Sequence, residues 1–180
     1  MTREDWLALG QVVDFHGAPI MWADASGIAR ISLYPPIRYD PLRPEYNSVP
    51  TGSVYIIMEL GLRPCVNKPV AWRVYRNLHD ALPLNVLEHR GFGALAGGVG
   101  QGGVPVNDTH DGMVAPNTWL VFKGEDQPVL WGSFGAQGAY QIDLRVLAVQ
   151  LPADLYEAIL AELDPRKRKR FASYGAKTTR

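Results

Sequence analysis

Trp119-Leu120-Val121-Phe122 and Val129-Leu130-Trp131 are short apolar runs rich in aromatic and β-branched residues, separated by the polar turn segment Lys123-Gly124-Glu125-Asp126. Runs of that length, bounded by Gly and Asp, favour strands over helices, and the spacing predicts a hairpin. The same arrangement recurs upstream. Val12-Val13-Asp14-Phe15 and Ile20-Met21-Trp22 read as strands, and Ala23-Asp24-Ala25-Ser26-Gly27 supplies turn chemistry before Ile28-Ala29-Arg30-Ile31-Ser32-Leu33-Tyr34, a second predicted hairpin. Val54 to Leu60 is almost continuously apolar, as expected of a central strand buried on both faces. Val70 to Tyr75 and Ile142 to Val146 alternate, as expected of strands with one solvated face.

Helical signals are confined to the ends. Thr2 followed by Asp5 caps a short first helix that carries Trp6, Leu7 and Leu9 and stops at Gly10. In residues 152–163, Pro152 suits a first turn, Asp154 and Glu157 suit the positive end, and Leu155, Ile159 and Leu163 recur every four residues. Asp164-Pro165 can start a further basic helix running to Tyr174, although the successive cations in its first turns oppose it. The predicted fold is therefore α+β: a mostly antiparallel β-sheet or sandwich, with a short N-terminal helix and a C-terminal amphipathic helix that lies on the sheet. Residues 1–164 form one β-rich domain and 165–180 a basic tail.

At 180 residues, with 47% apolar and 20% charged residues, the chain can bury a core without disulfides or metals. Its single cysteine, Cys65, has no partner for an internal disulfide, and Met1 to Trp6 lacks the order of a secretory signal. The expected setting is cytoplasmic, or a virus particle assembled in the cytoplasm. No apolar run approaches the roughly 18–20 residues of a spanning helix, so no membrane partner is expected.

The zero net charge conceals an asymmetry. Arg166, Lys167, Arg168, Lys169, Arg170, Lys177 and Arg180 lie beyond the last acid, Asp164, so the body is left with eleven basic against eighteen acidic residues. The cation run followed by Phe171 and Tyr174 suits phosphate neutralisation with ring stacking, which makes nucleic acid a candidate partner; an acidic protein surface is the other. Residues 35–50 interleave Pro35, Pro36, Pro41, Pro44 and Pro50 with Arg38, Tyr39, Arg43 and Tyr46. Such a segment runs as an extended arm or a large surface loop, able to touch a neighbouring subunit or its own domain.

Motifs for chemistry are weak. Gly98-Val99-Gly100-Gln101-Gly102-Gly103, within the glycine-rich stretch 91–103, matches the GxGxxG spacing but has neither a strand before it nor a helix after it. Asn107, Asp108, Thr109, His110, Asp111 and Gly112 echo the opening of an EF-hand loop, yet Thr118 stands where its bidentate glutamate belongs. His16, His79 and His89 each sit near an acid, with no nucleophile in reach along the sequence. No catalytic, cofactor or metal residue is assigned. The expected function is that of a non-enzymatic structural or assembly protein, a homo-oligomer that contacts neighbours through the proline-rich arm, the glycine-rich loop and the tail, as a phage capsid or tail accessory would. A binding or inhibitor protein of antidote type is one alternative, and a hydrolase using Asp108, His110 and Asp111 is another.

Overall fold

The computed structural model describes residues 1–38, 47–64, 71–77 and 119–163. Their order is α1 (Arg3–Leu7), β1 (Gln11–Gly17), β2 (Ile20–Ala23), β3 (Ile28–Ser32), β4 (Ser53–Pro64), β5 (Ala71–Tyr75), β6 (Leu120–Lys123), β7 (Val129–Ser133), β8 (Gly138–Pro152) and α2 (Ala153–Glu162). The strands form two antiparallel sheets. One has the order β1-β8-β4-β6, with β2 also on β8; the other has the order β3-β7-β5. The α+β, sheet-rich class expected from the sequence is the class observed.

Both predicted hairpins are corners instead. β2 pairs with β8 in the first sheet and β3 with β7 in the second, so Asp24 to Gly27 carries the chain between sheets. β6 pairs with β4 and β7 with β3 and β5, so the segment after Lys123 does the same. Local turn chemistry is satisfied in each case. Asp24 Oδ1 accepts from the backbone N–H groups of Ser26 at 2.8 Å and Ile28 at 3.1 Å. Gly27 takes φ +73° and packs where an added Cβ would lie 2.7 Å from Ala136 N, so this corner requires glycine on both counts.

The long strand β8 explains the pattern of burial. Its even-numbered residues Tyr140, Ile142, Leu144, Val146 and Ala148 enter a cluster shared with Ile31, Leu33, Val74 and Leu130 of the other sheet. Its odd-numbered residues are solvated at Gln141 and Arg145 but buried at Val149 and Leu151, where α1 and α2 cover the outer face. Alternation along Ile142 to Val146 therefore passes into a continuous apolar run, because the covering changes along the strand. β4 lies between β8 and β6 and is buried on both faces, with Tyr55, Ile57 and Leu60 inward and Val54, Ile56 and Met58 under the helices.

α1 has five residues, too few for stability on its own. Thr2 and Asp5 close a capping box, with Thr2 N donating to Asp5 Oδ2 at 2.6 Å and Asp5 N to Thr2 Oγ1 at 3.2 Å. The anchor is Trp6, 1% exposed, which meets Trp119 edge to face at 6.0 Å and Tyr156 at 6.2 Å. The inward seam of α2 is centred on Tyr156 and flanked by Ile159, Leu160 and Leu163, one position round from the Leu155-based stripe that the sequence spacing suggested.

Two tyrosine hydroxyls lie in this apolar interior. Tyr55 Oη donates to the Leu33 carbonyl at 3.0 Å, and burial raises its pKa. Tyr156 is pushed up to about 12 by burial, reinforced by the Glu157 carboxylate. An unfolded tyrosine ionises near pH ~10, so the stability that these neutral hydroxyls contribute is complete below that pH and is lost as pH rises toward their folded values. The urea midpoint is expected to fall between pH 9 and pH 11.5, and less steeply in Tyr156→Phe; equal slopes would contradict the assignment. Trp6→Ala is expected to cost about 3–5 kcal/mol in the same measurement, against ~1 kcal/mol for Thr2→Ala.

Candidate functional site

Of the residues selected from the sequence, Arg38 is described: it is exposed, at the rim of a groove beside β2. Tyr39, Arg43, Tyr46, the glycine-rich stretch 91–103, Asp108, His110 and Asp111 lie outside the described residues, as do Arg166, Lys167, Arg168, Lys169, Arg170, Phe171 and Tyr174.

Charges gather on the outer face of the first sheet, beyond the part covered by helices. The β4–β8 register shifts between Ile57, opposite Ala148, and Glu59, opposite Leu147, so Met58 is the extra residue of a bulge. That bulge turns Glu59 onto the outer face, where it is 7% exposed. Arg145 Nη1 approaches one of its carboxylate oxygens at 3.2 Å and Arg3 Nη1 the other at 3.4 Å. Cross-strand from Arg145, His16 Nε2 lies 3.0 Å from Asp143 Oδ1. Asp143, on the neighbouring strand, is therefore the histidine's partner instead of its sequence neighbour Asp14. Both Glu59 oxygens are engaged by guanidinium groups, and the His16 ring stands in solvent with its side chain 69% exposed. Among the described residues no three His, Cys, Asp or Glu side chains are grouped as a metal would require. The cluster ties α1 to the sheet and brings no nucleophile to a base.

The edge of the same sheet is unusual in its length. β1 pairs Gly17 with Leu144 and β2 pairs Ile20 with Gln141, three residues further along on both strands, so the break at Ala18-Pro19 leaves the register intact. Gln11 to Ala23 is in effect one edge strand. Pro19 O accepts from Ile142 N at 3.2 Å, which makes the odd-numbered residues the ones whose backbone groups face β8. The N–H and C=O groups of Val12, Asp14, His16, Ala18 and Ile20 then point outward, and among the described residues no strand pairs with them.

Natural edges are usually blunted by proline, lysine or a bulge. Here Pro19 falls in the inward parity, where its missing N–H subtracts nothing from the outer ladder. Gln11 to Ala23 contains Asp14 and His16 and no Lys or Arg. Val12 is 45% exposed, Ile20 56% and Trp22 47%, three of the four large apolar side chains exposed among the described residues. A groove of about 640 Å³ opens beside them, lined by Phe15, Ala18, Pro19, Ile20, Trp22, Ile37 and Arg38.

No protein-family model, curated protein or solved structure matches this chain. Among the described residues no helix is long and apolar enough to cross a membrane. The sequence reading passed over Pro19, Ile20 and Trp22 as site residues. Their signal was the lack of lysine on a predicted first strand, which becomes informative once that strand is known to lie at an edge. If the Glu59 cluster is structural, Glu59→Gln costs about 1–2 kcal/mol in denaturant unfolding, since an amide presents one acceptor where two guanidinium groups converge.

Proposed function

We propose that the protein is a non-enzymatic structural or assembly component that joins neighbouring subunits by strand addition at the β1–β2 edge. The observation that carries this reading is the row of outward backbone groups from Val12 to Ile20, flanked by exposed apolar side chains and lacking the devices that prevent pairing. Exposed aliphatic and aromatic surface on an edge gains free energy when covered, and each added backbone pair contributes about 0.5–1.5 kcal/mol net. In this reading the proline-rich arm, the glycine-rich loop and the basic tail are additional contacts to neighbours. The tail reaches an acidic subunit or nucleic acid, and a virus-particle accessory is the finer assignment.

The test is solution mass by light scattering at low and high salt, for the full chain, an Ile20→Lys/Trp22→Glu variant, and a chain ending at Asp164. Both substitutions are on exposed positions, so the variant's unfolding free energy stays within about 0.5 kcal/mol of the parent. The expected result is a defined oligomer that the edge variant reduces to monomer at every salt concentration. Dissociation by high salt or by tail removal alone would assign the joint to the tail. A monomer under all conditions overturns assembly, and a stable one-to-one complex with a foreign protein, lost in the edge variant, would then favour the binding or inhibitor reading at the same edge.

A further inference from the structure

The open edge also constrains how two copies can meet, because antiparallel pairing places outward-facing residues opposite outward-facing residues. We propose that a second copy of this chain occupies the edge, β1–β2 against β1–β2, about a twofold axis at Gly17. This rests on the assembly reading above and adds its register.

The outward parity is the even-numbered one, and so a twofold axis on β1 can fall at Asp14, Phe15, His16 or Gly17. An axis at Asp14 sets that carboxylate against its own copy, which like charges disfavour. An axis at Phe15 pairs Asp14 with the partner's His16 but leaves Ile20 and Trp22 beyond the ladder. An axis at His16 leaves Trp22 opposite the partner's Gly10. An axis at Gly17 is the one that matches the full length of the edge, Gln11 to Ala23, against itself. It sets Val12 opposite the partner's Trp22 and Ile20 opposite the partner's Asp14, bringing all three exposed apolar side chains of each copy into the joint. A β-branched side chain opposite an aromatic one is a favourable cross-strand pair. Length of ladder and apolar burial therefore outweigh the one exposed ion pair that the Phe15 axis would supply.

Two local features fit this axis. Odd-numbered residues oppose one another in the narrow pairs, where backbones approach most closely, and Gly17 brings no side chain to the central one. The space that a Cβ would take on Gly17 is already filled, with Phe15 Cζ 2.9 Å from it. The same register sets the partner's Phe15 opposite Pro19, at the apolar groove lined by Pro19, Ile20, Trp22 and Ile37.

The test uses single-cysteine variants of the full chain in a Cys65→Ser background, mixed in pairs and treated with oxidant or a short bifunctional thiol reagent. Val12→Cys mixed with Trp22→Cys is expected to crosslink at least about tenfold more than Val12→Cys mixed with Ile20→Cys or with Ala18→Cys, since crosslinking requires adjacent Cβ atoms. His16→Cys mixed with Ala18→Cys keeps Trp22 in place and is expected to crosslink as well. A dominant product with Ile20→Cys moves the axis to His16, and one with Ala18→Cys moves it to Phe15; either overturns the proposal. An oligomer by light scattering that none of these mixtures crosslinks overturns the pairing while leaving assembly standing. A monomer by light scattering overturns both.

Discussion

The ladder of β8 organises the described structure. One of its sides holds β2 and then β1 in a single unbroken register, and the other holds β4 from Ser53 opposite Pro152 to Pro64 opposite Ile142. One of its faces supplies five side chains to the cluster between the sheets, and the other supplies Val149 and Leu151 to the cluster beneath the helices. Each hydrogen bond in such a ladder contributes little by itself. The strand matters because backbone pairing and both apolar clusters depend on the same fifteen residues, so their contributions are made together or not at all.

That dependence explains what could be read from the sequence and what could not. Strand positions were legible, because apolar alternation and turn residues act locally: Asp24 and Gly27 make their turn whatever the flanking strands pair with. Partners were not legible. A four-residue strand such as β6 has the same composition whether it returns on its neighbour or crosses to another sheet, and the choice falls to β4 and β8, distant in sequence, which offer longer ladders. The shift of the α2 seam to Tyr156 has a similar cause, since Trp6 comes from the other end of the chain and the spacing of leucines carries no record of it. The bulge at Met58, which turns Glu59 outward between two arginines, also leaves no local signature in an apolar run.

The outer face and the edge differ in what they leave unsatisfied. On the face, Glu59, Arg3 and Arg145 compensate one another, and the His16–Asp143 pair adds a solvated contact; such a network holds elements in place and has little to offer a ligand. At the edge the unsatisfied groups are backbone amides and carbonyls, strong donors and acceptors whose alternative partner is water. Such a surface selects conformation before composition: any chain segment that can extend alongside it qualifies, and the flanking apolar side chains then set the preference.

The place of β8 in the chain has a consequence for how the protein is made. β1, β2 and β4 emerge from the ribosome long before Gly138 to Pro152, the segment on which all three pair. Only β4 with β6, and the β3-β7-β5 sheet, can close before it arrives. Until then the apolar run of β4 and the amides of β1 have no native partner, and the contacts that stabilise them span more than a hundred residues of chain. Folding of the first sheet is thus deferred to the end of synthesis, in the slow regime of non-local topologies, and the nascent chain carries sheet-forming segments exposed for most of its translation.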